Sequence, residues 1–332
     1  MFGHTFRTHA LLRNLVLPSL ALACTLAASH AGPYPGNNVV RIVVPTPPGS
    51  PPDVIGRIIA TQLSESEGWR VVVDNRPGAL QANAMAEVLK QPADGLAIFP
   101  MSLGAIPTPA LAPERGIRLE SDFAPVVKIA TGYTALVVNP SLPAATLPEL
   151  MALLKAQPDK FNYSSGGFGT PAHLLGEMFK LQTGALFASI QYPQNAQRLS
   201  DLLTGRTQFA FINTAAVVDL VATGKLRALA IAGPKRLPAF KDVPTVIEAG
   251  FPDLAAEDWV GFVVKAGAPT DNIARLNMIV NKALTMQKVR DALDSLGYES
   301  AGGSPQALGD HIASQVAYWT KVIRDSGIKM PQ

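Results

Sequence analysis

Val39-Val40-Arg41-Ile42-Val43-Val44 is a strand-forming run that passes directly into a proline- and glycine-rich loop over residues 45–53. Apolar positions then take up helical spacing through Val54, Ile55, Ile58, Ile59 and Leu63. Strand, loop and helix in that order predict the first half of a βαβ unit. The grammar continues with a strand over 69–74, a helix through Ala82, Met85, Val88 and Leu89, and a strand over 96–99. Residues 101–116 are proline-rich and read as irregular. Strands over 124–129 and 135–139 flank Thr131-Gly132-Tyr133, where the chain is expected to cross between two lobes.

The second half repeats the pattern. A helix is predicted over 147–156, a strand over 161–164, and a glycine-rich loop over 165–171. Thr170 suits an N-cap and Pro171 the first helical position, so a helix should run from there to about residue 183. Strands over 187–192, 209–213 and 228–232 alternate with helices over 197–203 and 215–222. A strand over 259–264 reads as the return to the first lobe, followed by helices over 271–285, 288–296 and 305–326. The alternation predicts α/β architecture with parallel, helix-covered sheets. A chain of 332 residues exceeds one ordinary core, so two lobes are expected. The predicted division is 32–133 with 258–332 for one lobe and 134–257 for the other.

Residues 1–31 stand apart from this pattern. Arg7 and Arg13 precede an apolar run over 15–28, and Ser29-His30-Ala31 fits a signal-peptidase site. The run is too short for a permanent span, which predicts a cleaved secretory leader. Cys24, the one cysteine, lies inside the leader, so the mature chain has no thiol for disulfides, metal or nucleophilic chemistry. Retention of Cys24 as a lipid anchor is the alternative, but Ala21 stands where leucine is usual. Without Arg7 and Arg13 the balance is 26 basic against 25 acidic residues, with no Lys/Arg patch that would suit a nucleic acid.

Catalytic signatures are thin. GxSxG, HExxH, Walker and GxGxxG patterns are absent, and neither cofactor nor metal is expected. His173, beside Leu174 and Leu175, reads as a core or capping histidine, and His311 as a surface residue of the last helix. Glu257 and Asp258 are neighbours that face opposite sides of a strand, so they read as solvated charge near a hinge. Trp259 and Trp319 read as packing anchors. More informative are the polar or glycine-rich loops before helices at 45–53, 75–81 and 164–171. Helix N-termini present unpaired N–H groups and partial positive charge, so a cleft lined by them suits a carboxylate.

Arg41-Ile42-Val43-Val44-Pro45 with Pro47-Pro48-Gly49 and Asp53, Asp74-Asn75-Arg76-Pro77-Gly78-Ala79, and Asp94-Gly95 together resemble the Bug family, the periplasmic receptors of tripartite tricarboxylate transporters. The likeness continues in Asn162-Tyr163-Ser164-Ser165-Gly166, His173-Leu174, Asp201-Leu202-Leu203, Gly224 to Ala230, and Asp242-Val243-Pro244-Thr245-Val246 with Glu248-Ala249-Gly250. The resemblance implies a type II periplasmic-binding-protein fold, two α/β lobes joined by hinge strands with a ligand cleft between them. It further implies a small-molecule ligand, usually a carboxylate, membrane transporter subunits as partners, and a monomer. Matched to this chain, the ligand contacts would be Thr46, Ser50, Asp53 and Ser102 in the first lobe. In the second they would be Ser164, Ser165, Gly167, Thr170 and Asn213. Asp53 has an alternative role as partner of Ser50 in a capping box.

The chain departs from the family pattern in these same loops. Ser50-Pro51-Pro52 replaces glycines and a threonine, Leu80-Gln81 replaces a glycine pair, and Pro100 to Leu103 replaces a more polar stretch. Pro193-Gln194-Asn195 replaces a Lys-Gly pair, and Ile212 stands where an aspartate commonly precedes Asn213. Pro51 and Pro52 carry no N–H, so two donors for a carboxylate are lost. At about 1.5–3 kcal/mol per bond to a charged group, that predicts a carboxylate weakened at least tenfold, and hence a less anionic or more apolar ligand. A sensory receptor for a membrane partner and an enzyme using His173 are the competing readings.

Overall fold

The strand-forming run of residue 39 onward becomes β1 (Val39–Val44), and the loop after it opens α1 (Pro51–Glu67). This is a computed structural model, which describes residues 1, 3, 34–192 and 194–327. Apart from residues 1 and 3, the expected leader lies outside the described residues, as does Pro193. β2 (Arg70–Asn75), α2 (Ala82–Lys90) and β3 (Ala97–Ser102) follow. The stretch expected to be irregular, 101–116, holds a short helix, α3 (Thr108–Leu111), and a second short helix, α4 (Leu119–Asp122), follows before β4 (Phe123–Gly132). Tyr133 alone separates β4 from β5 (Thr134–Val138).

Next come α5 (Leu147–Ala156), β6 (Asn162–Ser165), α6 (Pro171–Thr183) and β7 (Ala188–Gln191). They lead to α7 (Asn195–Leu203), β8 (Phe209–Asn213), α8 (Thr214–Ala222) and β9 (Arg227–Ile231). β10 (Asp258–Lys265), α9 (Thr270–Leu284), α10 (Gln287–Asp294), β11 (Tyr298–Ser300) and α11 (Pro305–Ser326) complete the chain.

The strands form two sheets, ordered β11-β4-β10-β3-β1-β2 and β7-β6-β8-β5-β9. They are mixed rather than all-parallel. β1 runs parallel to β2 and β3, but β10 is antiparallel to both β3 and β4, and β5 is antiparallel to β8 and β9. The reason lies in the crossings. β1, β2, β3 and β4 end at the junction between sheets, whereas β5 and β10 begin there and must run away from it. Register shows this: Thr134 pairs with Asn213, Asp258 with Gly132, and Val260 with Ser102. Carboxyl ends of parallel strands from both sheets thus meet at one seam.

Each sheet is covered by its helices. Ile42, Val44, Ile55, Ile59, Phe262, Leu276 and Val280 pack in one layer of the first sheet. In the second, Tyr163, Phe179, Phe187, Phe209 and Phe211 form an aromatic cluster, with Phe187 edge-on to Phe209 at 4.9 Å. Such contacts add roughly 0.5–1.5 kcal/mol per pair beyond area burial. Helix starts follow local chemistry: Thr170 Oγ1 accepts from the His173 N–H, and Thr146 and Ser304 cap α5 and α11 the same way.

Some local expectations change. Ser50 is the N-cap of α1, but its hydroxyl turns back to donate to Thr46 Oγ1 at 2.5 Å or Pro47 O at 2.7 Å. Asp53 reaches the Gly49 N–H at 2.9 Å, so no reciprocal Ser50–Asp53 box forms. With prolines at the first two helical positions, the hydroxyl has little to cap. His311 is half-buried rather than fully at the surface. Its ring stands edge-on to buried Trp259 at 4.8 Å, and burial, with Lys128 adding, lowers its pKa to about 4. Trp259 and Trp319 are fully packed, 0% and 1% exposed.

Candidate functional site

At the seam, the strand ends enclose a cavity of about 340 Å³, within the size range of ligand pockets. The first sheet contributes Pro45, Thr46, Ser50, Pro51 and Pro52 after β1, Gly78, Leu80 and Gln81 after β2, and Ser102 and Gly104 at the end of β3. The second contributes the loop after β6 (Gly166, Phe168 to Ala172), Asn195 and Arg198 of α7, and Phe211 and Asn213 of β8. Thr134, Asp258 and Tyr298 line it where strands cross.

Of the residues named from sequence, Thr46, Ser50, Ser102, Thr170 and Asn213 line this cavity; Asp53, Ser164, Ser165 and Gly167 do not. Asp53 is 2% exposed and serves the scaffold. Its carboxylate accepts from Gly49 N–H, from Arg57 Nε at 3.0 Å and from Asn75 Nδ2 at 2.8 Å, tying the loop after β1 to the end of β2. Burial acts to raise its pKa, but these donors outweigh it and hold the carboxyl below the usual range. Ser164 and Ser165 are fully buried on β6, below the turn that meets the cavity. Gly167 shapes that turn, its carbonyl accepting from both the N–H and the hydroxyl of Thr170. His173 is 5% exposed outside the lining, with Nδ1 accepting from the Gly169 N–H.

Arg198 is the residue that sequence reasoning missed. It is 7% exposed and lines the cavity, and Nη2 donates to Phe211 O at 2.5 Å. Nε has no partner, and among the described residues no carboxylate lies within ion-pair distance of it. Asp201, one turn further along α7, is already engaged by Tyr192 Oη and Gln197 Nε2, each at 2.8 Å. Burial pushes the Arg198 guanidinium down from its usual range, yet an arginine stays charged in proteins. The legible signal was the spacing: 198, 201 and 202 share one helix face, and Leu202 marks that face as buried.

One more buried polar atom of a lining residue lacks a partner, Thr134 Oγ1, whereas the Asn213 side chain is engaged by Tyr298. Asn213 spends its Oδ1 on the Ala215 N–H, capping α8. The first-sheet wall contrasts with this. There Ser50 bonds Thr46, and Gln81 Nε2 donates to Ser102 Oγ at 3.1 Å. Asp258, read from sequence as solvated, is also in the wall. Tyr298 Oη donates to its Oδ2 at 2.5 Å, and burial pushes its pKa up to about 6.

Two α/β lobes joined by crossing strands, with a cleft at the carboxyl ends of both sheets, define a type II periplasmic-binding protein. A family model described as tripartite tricarboxylate transporter family receptor matches residues 55–328, and the chain belongs to that family. It is 32% identical to protein BugT of Bordetella pertussis over 317 residues, 94% of this chain and 96% of that one. Among solved structures, R. palustris Rpa4515 with adipate is 33% identical with a TM-score of 0.79, covering 90% of this chain and 99% of that one. MatC (Rpa3494) from Rhodopseudomonas palustris with bound malate is 26% identical with a TM-score of 0.76, covering 86% and 98%.

Proposed function

We propose that this protein is a periplasmic receptor that captures a small organic acid in the cleft and delivers it, chemically unchanged, to membrane subunits of a tripartite tricarboxylate-type transporter. The observation that carries this reading is Arg198, a buried cavity-lining guanidinium whose Nε lacks a hydrogen-bond partner and which, among the described residues, has no carboxylate within ion-pair distance. A buried charge is costly unless paired, and a bound carboxylate is the missing pair. Family membership and the acids named with two related structures support the same class of ligand.

In this reading residues 1–31 are the leader, and the working protein is a monomer whose lobes are 32–133 with 258–332, and 134–257. Thr46, Ser50, Ser102, Thr170 and Asn213 join Arg198 as contacts. Closure about the crossing strands buries the ligand and shifts the population toward the form the transporter reads. The departures at Pro51 and Pro52 still remove donors, but the second lobe supplies a stronger one. The test is a thermal-shift screen of purified protein against mono-, di- and tricarboxylates, amides and amino acids. A ligand at a hundred times its Kd adds about 2.7 kcal/mol of stability. Acids are expected to raise the melting temperature; a shift with neutral compounds alone would overturn the reading.

A further inference from the structure

Resting on that reading, we propose that the cleft selects an acid with a single carboxylate on an apolar body, the carboxylate on Arg198 and the body against the first lobe. Unspent hydrogen-bonding capacity lies on one side. Arg198 Nε and Thr134 Oγ1 are buried and unpartnered, and both belong to elements of the second sheet. Across the cleft, Thr46 and Ser50 are bonded to each other, as are Gln81 and Ser102. Pro51 and Pro52 begin the facing helix without an N–H to offer. Arg198 and Asp258 are the charged lining residues, and Asp258 is itself a carboxylate. A second carboxylate on the ligand would therefore meet no free cation and one like charge.

The backbone points the same way. Ala79, Leu80 and Gln81 all have positive φ, 50°, 52° and 70°. Three successive L-residues in this region are strained, at a site where glycine would be at ease. Glycines there would leave no side chain in the cleft. With Leu80 and Gln81 instead, the chain tolerates strain and gains a leucine on the wall, its carbonyl held by Thr108 Oγ1 at 2.5 Å. Leu80 reaches the opposite lobe: a Cβ on Gly169 would lie 2.2 Å from Leu80 Cδ2. Strain retained at a binding surface marks a side chain placed for selectivity.

The experiment is calorimetric titration of the purified protein at neutral pH with straight-chain monoacids of four to eight carbons, the diacids of equal length, and the matching primary amides. The monoacid of best length is expected to bind at least about tenfold more tightly than its diacid. It should exceed its amide by a similar factor. Arg198→Met should weaken the monoacid on the order of a hundredfold and erase its advantage over the amide, with Arg198→Lys recovering part of it. Leu80→Gly should narrow the ratio of monoacid to diacid. A diacid that binds as well as or better than its monoacid overturns this inference while leaving the organic-acid reading intact. Loss of binding to every acid, with amides still bound, overturns the reading itself.

Discussion

Arg198→Met should make the empty protein more stable and the liganded protein less so. The guanidinium is 7% exposed and has one hydrogen bond, to Phe211 O, with no carboxylate within ion-pair distance among the described residues. Effective desolvation penalties for a buried ion are several kcal/mol, and apolar replacement of buried charge clusters gains about 1–4 kcal/mol. Loss of the donor to Phe211 O costs about 1–2 kcal/mol, because that carbonyl is left unsatisfied. The net expectation is a gain of up to about 3 kcal/mol for the empty variant. At about 2–4 °C per kcal/mol for a domain of 150–250 residues, this larger chain should melt a few degrees higher. The assay is a pair of thermal melts on protein stripped of ligand by unfolding and refolding, one empty and one with saturating acid. Wild type should rise with acid while the variant stays put, reversing their order. An empty variant that melts several degrees below wild type would refute the reasoning, since the guanidinium would then be a satisfied structural donor.

Asp258→Asn tests the half-buried carboxylate at the crossing, which accepts from Tyr298 and lies near Glu257. Its pKa is raised in the fold to about 6, so its favourable contribution is complete below the unfolded value of about 4 and is lost as pH rises through 6. The variant should exceed wild type by about 1–3 kcal/mol in urea melts at neutral pH and lose that advantage near pH 4; a constant difference would contradict the titration. Binding of an acid should strengthen between pH 7 and 5 in wild type but not in the variant, as titration calorimetry would show. Asp53→Ala should cost about 2–4 kcal/mol by removing three acceptor bonds from a buried site, which denaturant melts measure. Gly169→Ala, at φ 73° and against Leu80, should cost about 1–2 kcal/mol for the backbone and roughly 1–3 more for overpacking. The second part should vanish in combination with Leu80→Ala, so additive melts would show that the two residues do not touch.

Elements were legible where pattern and capping agree. The sequence predicts a helix over 147–156, and α5 is Leu147–Ala156, started by Thr146; the predicted start at Pro171 likewise rests on the Thr170 cap. β11 escaped because three residues carry no periodicity, and the sense of β5 and β10 escaped because direction depends on where the chain crosses. The site was legible as a set of loops but less so as a set of side chains. Proline, serine and threonine at strand ends announce a cleft, and Thr46, Ser50, Ser102, Thr170 and Asn213 do line it. Ser164 and Ser165 sit on β6 just before the turn, and Asp53, one residue past Pro52, turns back to hold the loop and the end of β2. Arg198, despite sharing a helix face with Leu202, and Asp258 were missed for a shared reason: a charged side chain looks solvated until the fold covers it.

A crystal structure of the protein grown with its best-binding acid would be the most direct measurement. The carboxylate is predicted within hydrogen-bond distance of the Arg198 guanidinium, with the rest of the molecule against Pro51, Pro52 and Leu80. An acid whose carboxylate lies on the backbone amides of the 45–53 loop, with Arg198 Nε turned away from it, would contradict that arrangement.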